Sequence, residues 1–178
     1  MSAKAKLATV WLDGCSGCHM SFLDIDERLL DLAELADLVY SPLVDLKTFP
    51  EMADVTLVEG AVSSQEDYEK IKKVRAHTKI LVSLGDCAVT SNVPGMRNQF
   101  KVEDVLARAY LENVDLHPQI PLEVIPPLLK TSVPVHQVVA VDVYVPGCPP
   151  PADTIFYVLT ELLAGRKPVM TGKTRFGV

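Results

Sequence analysis

The sequence predicts an α/β fold in three layers, a mostly parallel sheet covered by helices on both faces. Three observations carry this reading. Short apolar runs of strand length alternate with stretches whose apolar residues recur at helical spacing. Turn residues mark the change from one to the other, as at Asp13-Gly14, Gly85-Asp86 and Pro146-Gly147. The 178 residues, 48% hydrophobic and 22% charged, are enough for one sizeable core; at this length folding buries roughly 70% of the surface an unfolded chain exposes. A single domain over 1–178 is expected, without disulfide staples.

Each element has a local reason. "KLATVWL" (6–12) is an apolar run closed by Asp13-Gly14 and reads as a buried strand. A helix is expected from Ser21: Ser21 and Asp24 have capping spacing, and Phe22, Ile25, Leu29, Leu32, Leu35 and Ala36 form a stripe. "DLVYS" (37–41) and "DVTLV" (54–58) are the second and third strands. Ser63 and Glu66 fit a capping box that opens a helix with Tyr68, Ile71 and Val74 on its apolar face. "KILVSL" (79–84) is the fourth strand, and a helix follows at 102–112. The segment 117–135 holds five prolines and is expected to run extended over the surface, against its own domain or a partner. "VVAVDVYV" (138–145) is the fifth strand. Pro150 and Pro151 suit the first turn of a last helix, which buries Ile155, Val158, Leu159, Leu162 and Leu163 and stops at Gly165. The tail 166–178 is basic and reads as a solvated terminus.

Charge and hydropathy exclude some classes. A net charge of −6 argues against a nucleic-acid surface, which needs clustered Lys and Arg. No apolar run approaches ~18 residues, so no membrane span is expected. The opening residues lack the pattern of a signal peptide. A cytoplasmic location is the resulting expectation. Thiols stay reduced there, and four cysteines then point to metal binding or redox work.

With a flavodoxin-like strand order, 2-1-3-4-5, the loops after the strands all open along one edge, where such sheets bind ligands. Cys15 and Cys18 follow the first strand, Cys87 the fourth and Cys148 the fifth. Four thiols suit tetrahedral zinc or an iron–sulfur cluster. Structural zinc usually takes two close pairs. Here one pair is followed by wide gaps, from 18 to 87 and from 87 to 148. A [4Fe–4S] cube offers four separate iron corners and matches one pair plus two singles better; a structural zinc remains the alternative. A thioredoxin-like dithiol would use Cys15 and Cys18 and leave Cys87 and Cys148 unexplained. A flavodoxin-type FMN site would want more hydroxyls after the first strand than Ser16 and Ser21 supply. Gly14, Gly17, Gly85 and Gly147 lie beside or near cysteines, either as turns or to let backbone approach a cluster's sulfides.

Taken together, "DGCSGCHMSFLD", "VEGAV", "SLGDCAVTSNVPGMRN" and "VYVPGCPPP" resemble the small subunit of nickel–iron hydrogenases, most of all the NAD-reducing, bidirectional soluble type. That family is related to the cluster-binding 20 kDa-type subunit of respiratory complex I. The resemblance implies a flavodoxin-like fold with the cluster at the C-terminal edge of the strands. It implies that Cys15, Cys18, Cys87 and Cys148 hold a proximal [4Fe–4S] cluster. Electrons would pass between a nickel–iron site in a large subunit and a diaphorase module carrying further clusters, FMN and NAD, so the chemistry on H2 lies in a partner chain. No cysteine follows Cys148, which implies one cluster. The complex I subunit has adjacent cysteines at the first motif, whereas Ser16-Gly17 separates them here; this favours the hydrogenase branch over a quinone-reducing or formate-linked complex.

The motif neighbours Gly14, Gly17, Glu59, Gly60, Gly85, Asp86 and Gly147 become candidates for the cluster's surroundings. Glu59 is either a hydrogen-bonding or proton-path group or a carboxylate anchoring its loop through backbone N–H groups. His19 is a cluster neighbour or a helix-start residue partly in solvent. Asp86 accepts backbone N–H bonds in its turn or faces the large subunit, and Trp11 and Met20 are core or interface residues. A redox cluster this near a partner's active site needs an obligate contact, expected above ~2,000 Å².

Overall fold

The computed structural model describes residues 4–174. Seven strands form: β1 (Ala5–Trp11), β2 (Ala36–Tyr40), β3 (Ala53–Glu59), β4 (Val62–Ser64), β5 (Thr78–Leu84), β6 (Leu128–Val133) and β7 (Val143–Val145). Five of them make a parallel sheet in the order β2-β1-β3-β5-β7, and β4 pairs antiparallel with β6. Counting only the sheet's own strands, this is the order 2-1-3-4-5, the flavodoxin-like arrangement.

The helices are α1 (Gly17–Leu23), α2 (Leu29–Leu35), α3 (Gln65–Ala76), α4 (Gly85–Thr90), α5 (Asn92–Gly95), α6 (Val102–Ala107) and α7 (Ala152–Leu163). Alternation along the strands sends side chains to opposite faces, and two cores result. On one face Leu7, Val55, Leu57, Val82, Leu84 and Val145 meet Phe22, Leu32, Ile155 and Leu159 from α1, α2 and α7. On the other, Val10, Val58 and Leu81 meet Ile71 and Val74 of α3 and Ala88 of α4. The expected apolar faces of the helices around Ile71 and Ile155 are thus the ones that pack. Burying each such side chain fully is worth about 1.5–3 kcal/mol.

Several boundaries differ from the sequence reading. The first helix begins at Gly17 rather than Ser21 and breaks after Leu23, where Asp26 takes a positive φ of 60° before α2 resumes the stripe. Ser21 is therefore inside a helix; its hydroxyl donates to the Pro150 carbonyl at 2.5 Å, tying α1 to the turn before α7. The capping box uses Ser64 and Asp67, one residue on from Ser63 and Glu66, because Ser63 is engaged with the Asp13 carboxylate. The expected fifth strand shortens to Val143–Val145. Asp142 supplies its carboxylate, not its carbonyl, to Leu81 N–H at 2.8 Å and pairs with Arg75. The expected helix at 102–112 is α6 followed by a wider π turn over Arg108–Glu112. In the proline-rich segment, 128–133 is a strand, not an irregular surface run. Of the basic tail, 175–178 lies outside the described residues; Arg166 pairs with Glu161.

Candidate metal centre

Register brings the site together. Trp11 pairs with Glu59, Glu59 with Leu84 and Leu84 with Val145, so four strand ends align across the sheet's carboxyl edge. Cys15 and Cys18 follow the first of these ends, Cys87 the third and Cys148 the fourth. The loops are then pinned to one another. Asp13 and Ala61 exchange backbone hydrogen bonds at 3.1 and 2.7 Å. Gly60, at φ +93°, makes that crossing possible, since a Cβ there would sit 2.8 Å from the Asp13 oxygen. Gly14 packs against Gly60 on the same crossing, its would-be Cβ 3.2 Å from the Gly60 Cα. Asp86 joins the other two loops: Gly147 N–H donates to its carboxylate at 2.7 Å and Asp86 N–H returns a bond to the Gly147 carbonyl at 2.9 Å.

The four thiols are unbridged and lie on loops that leave the same edge of the sheet. Cys18 is buried, Cys87 half-buried, and Cys15 and Cys148 are exposed. Burial raises the Cys18 thiol far above the usual thiol range, and the Glu59 carboxylate and the other three thiols push it further. Burial also raises Cys87; the Val93 N–H opposes this, while Cys148, Cys15 and Glu59 add to it. Cys18 is thus within electrostatic reach of the other three thiols, and Cys87 of Cys15 and Cys148. The backbone at Gly85, with φ +83°, runs against Cys18: a Cβ there would lie 2.2 Å from the Cys18 sulfur. Gly17 stands similarly by Cys15, at 3.2 Å. Behind Cys18, the Glu59 carboxylate is 2% exposed and accepts from the backbone N–H groups of Cys18 at 3.3 Å and His19 at 3.0 Å. It also pairs with the His19 ring, whose far nitrogen meets the Thr9 hydroxyl at 3.0 Å.

These contacts decide several sequence readings. Glu59 anchors backbone N–H groups, those of the cysteine helix rather than of its own loop. His19 is buried and not partly in solvent; its partners come from β1 and β3, too far along the chain for a local pattern to show. Asp86 accepts a backbone N–H, that of Gly147 on another loop rather than one in its own turn. Trp11 and Met20 are 46% and 58% exposed and therefore do not belong to the core of this chain. Asn92 is a site residue that the sequence reading missed: its amide donates to the Cys148 sulfur at 3.7 Å. A signal was present in the Ser-Asn pair soon after Cys87, since Asn tolerates the tight backbone that aims a side chain backwards.

The donor set fits a cluster. All four donors are thiols, and the glycine backbone at Gly85 leaves room that any Cβ would fill. Among the described residues, no group of three or more His, Cys, Asp and Glu closes in on a point as a single ion requires. No helix among them is long and apolar enough to cross a membrane.

The chain is similar to known proteins over nearly its whole length. Residues 15–162 match the family model of the NADH ubiquinone oxidoreductase 20 kDa subunit. The chain is 46% identical over 174 residues to the NAD-reducing hydrogenase HoxS subunit delta of Cupriavidus necator, covering 92% of this chain and 80% of that one. It is 39% identical over 173 residues to a subunit of the F420-non-reducing hydrogenase of Methanothermobacter marburgensis, covering 94% of this chain and 56% of that one. A crystal structure of an NAD+-reducing [NiFe]-hydrogenase in the H2-reduced state matches with a TM-score of 0.93 and 42% identity, covering 98% of this chain and 100% of that one. A [NiFeSe]-hydrogenase of Dm. baculatum, at 19% identity, a TM-score of 0.58 and coverage of 92% and 62%, shares the fold alone. The chain is therefore a subunit of an oxidoreductase complex of the hydrogenase class. It belongs to the 20 kDa-subunit family and, within it, to the small subunits of nickel–iron hydrogenases.

Proposed function

We propose that this chain is the electron-transfer small subunit of a cytoplasmic, NAD-reducing nickel–iron hydrogenase, a single domain over 1–178 with one [4Fe–4S] cluster on Cys15, Cys18, Cys87 and Cys148. The observation that carries the reading is that four thiols, from three loops at one sheet edge, lie close enough for the other three to act on Cys18. Zinc would need all four sulfurs about 2.3 Å from one centre, an arrangement that one close pair and two widely separated cysteines suit less well than a cube with four iron corners. A cluster bound there supplies one-electron transfer at a potential within roughly −700 to +450 mV.

The chain's own residues set the environment. Gly85, Glu59 and His19 seal the Cys18 side, while Cys15 and Cys148 face outward. Met20 shares α1 with Cys18, Trp11 ends the strand before Cys15 and Val93 lies on α5 just after the helix of Cys87; all three are exposed, which supports a partner's surface covering this edge. The chain's four cysteines are all committed to this site. The nickel–iron centre then belongs to a large subunit, and FMN, NAD and further clusters belong to diaphorase subunits. The likeness to a NAD-reducing subunit over most of both chains supports NAD+ as the final acceptor.

The test is serine substitution at each of the four cysteines, with the complex purified anaerobically. Loss of iron, acid-labile sulfide and H2-dependent NAD+ reduction is expected in every case. Full iron content and turnover in Cys148→Ser would overturn the assignment, and a colourless wild-type chain with zinc would overturn the cluster.

A further inference from the structure

Between α4 and α5 the chain makes a kink that packing alone does not explain. Ser91 has φ 69° and Asn92 φ 22°, two consecutive residues with side chains in the left-handed region, a costly arrangement that must be held from outside. The holding is visible. Ser91 is buried, and its hydroxyl lies 2.9 Å from that of Ser132 on β6. Ser132 is in turn gripped by Asn98, which accepts from its N–H and donates to its carbonyl, both at 2.7 Å. Ser91 N–H bonds the Cys87 carbonyl, and Gly95 N–H bonds the Ser91 carbonyl, each at 2.9 Å.

The outcome of the kink is two donors aimed at two sulfurs on different loops. The Asn92 amide reaches Cys148 at 3.7 Å, and the N–H of the next residue, Val93, acts on the Cys87 thiol against the rise that burial causes. Neither contact serves the core, since Asn92 and Val93 are both exposed in the chain. Reduction adds negative charge to a cluster and its thiolate ligands, so an N–H group pointing at sulfur stabilises the reduced form and raises the potential. We infer that the Ser91-Asn92-Val93 kink is a two-donor clip that sets the potential of the electron-transfer site, with Asn92 its adjustable half and Ser132 its buttress; this rests on the cluster reading of the four thiols.

The experiment is an EPR-monitored redox titration of the purified complex, together with iron and sulfide analysis, for wild type, Asn92→Ala, Asn92→Asp and Ser132→Ala. Asn92→Ala keeps its iron and is harder to reduce: the reduced-to-oxidised ratio at a fixed potential falls about tenfold, equivalent to 59 mV for one electron. Asn92→Asp has nearly the same shape but carries charge in place of the donor, and shifts further in the same direction. Ser132→Ala shifts the same way by less. An unchanged potential in Asn92→Ala and Asn92→Asp, with full iron, overturns the clip and leaves the cluster reading intact. A wild-type complex with no iron on this chain overturns both.

Discussion

Asp86 and Gly147 hold each other from both sides, carboxylate to N–H at 2.7 Å and N–H to carbonyl at 2.9 Å, which ties the Cys87 and Cys148 loops together. Asp86→Ala leaves the Gly147 N–H without its acceptor in a buried place. A loss of about 1–3 kcal/mol is expected, read as a lower denaturation midpoint, together with reduced iron retention. Asp86→Asn keeps an acceptor oxygen and should lose less. Equal losses for the two substitutions would show that the carboxylate acts by charge and not through this bond.

Gly85 and Gly165 provide an internal control. Both have positive φ, +83° and +72°, but a Cβ at Gly85 runs into the Cys18 sulfur, while at Gly165 it meets nothing within 4 Å. Gly165→Ala should therefore cost only the backbone strain, about 1–2 kcal/mol, with iron content unchanged. Gly85→Ala must displace Cys18 and should lose most of the bound iron. Comparable iron in the two variants would contradict the close approach.

The thiols should react in an order set by burial. Iodoacetamide at pH 8.5 is expected to label Cys15 and Cys148 of metal-free protein first and Cys18 last. The Cys18 thiol is raised above its unfolded value, chiefly by burial and next by Glu59. Above a pH of about 8.5 the unfolded chain releases that proton and the folded chain keeps it. Stability from this group is whole below that pH and declines as the pH rises beyond it. Denaturation midpoints between pH 8 and 10 measure the decline, and Cys18→Ser should flatten part of it.

Much of this was legible because strands of a doubly covered sheet announce themselves as apolar runs. Leu7, Val55 and Val82 were readable that way, and the edge shared by the four cysteines followed from the strand order. What failed had other causes. The Ser21–Asp24 spacing imitates a helix start, but the helix begins at Gly17 because its first backbone N–H groups already find the Glu59 carboxylate, 40 residues away for His19. The strand Leu128–Val133 sits between Pro127 and Pro134, which disguised it; it pairs antiparallel with the three buried residues Val62–Ser64, outside the five-stranded sheet. Asn92 reads as an ordinary loop residue until the Ser91–Ser132 contact is seen to turn it towards Cys148.

The three thiol-bearing loops leave the sheet from β1, β5 and β7, and the last of them becomes available only after Val143–Val145 has docked on β5. A nascent chain still waiting for that final strand has three sulfur ligands and no fourth wall. Whatever inorganic cargo these thiols accept, its insertion must follow synthesis past Cys148, and the stoichiometry of bound iron serves as a direct assay of native topology.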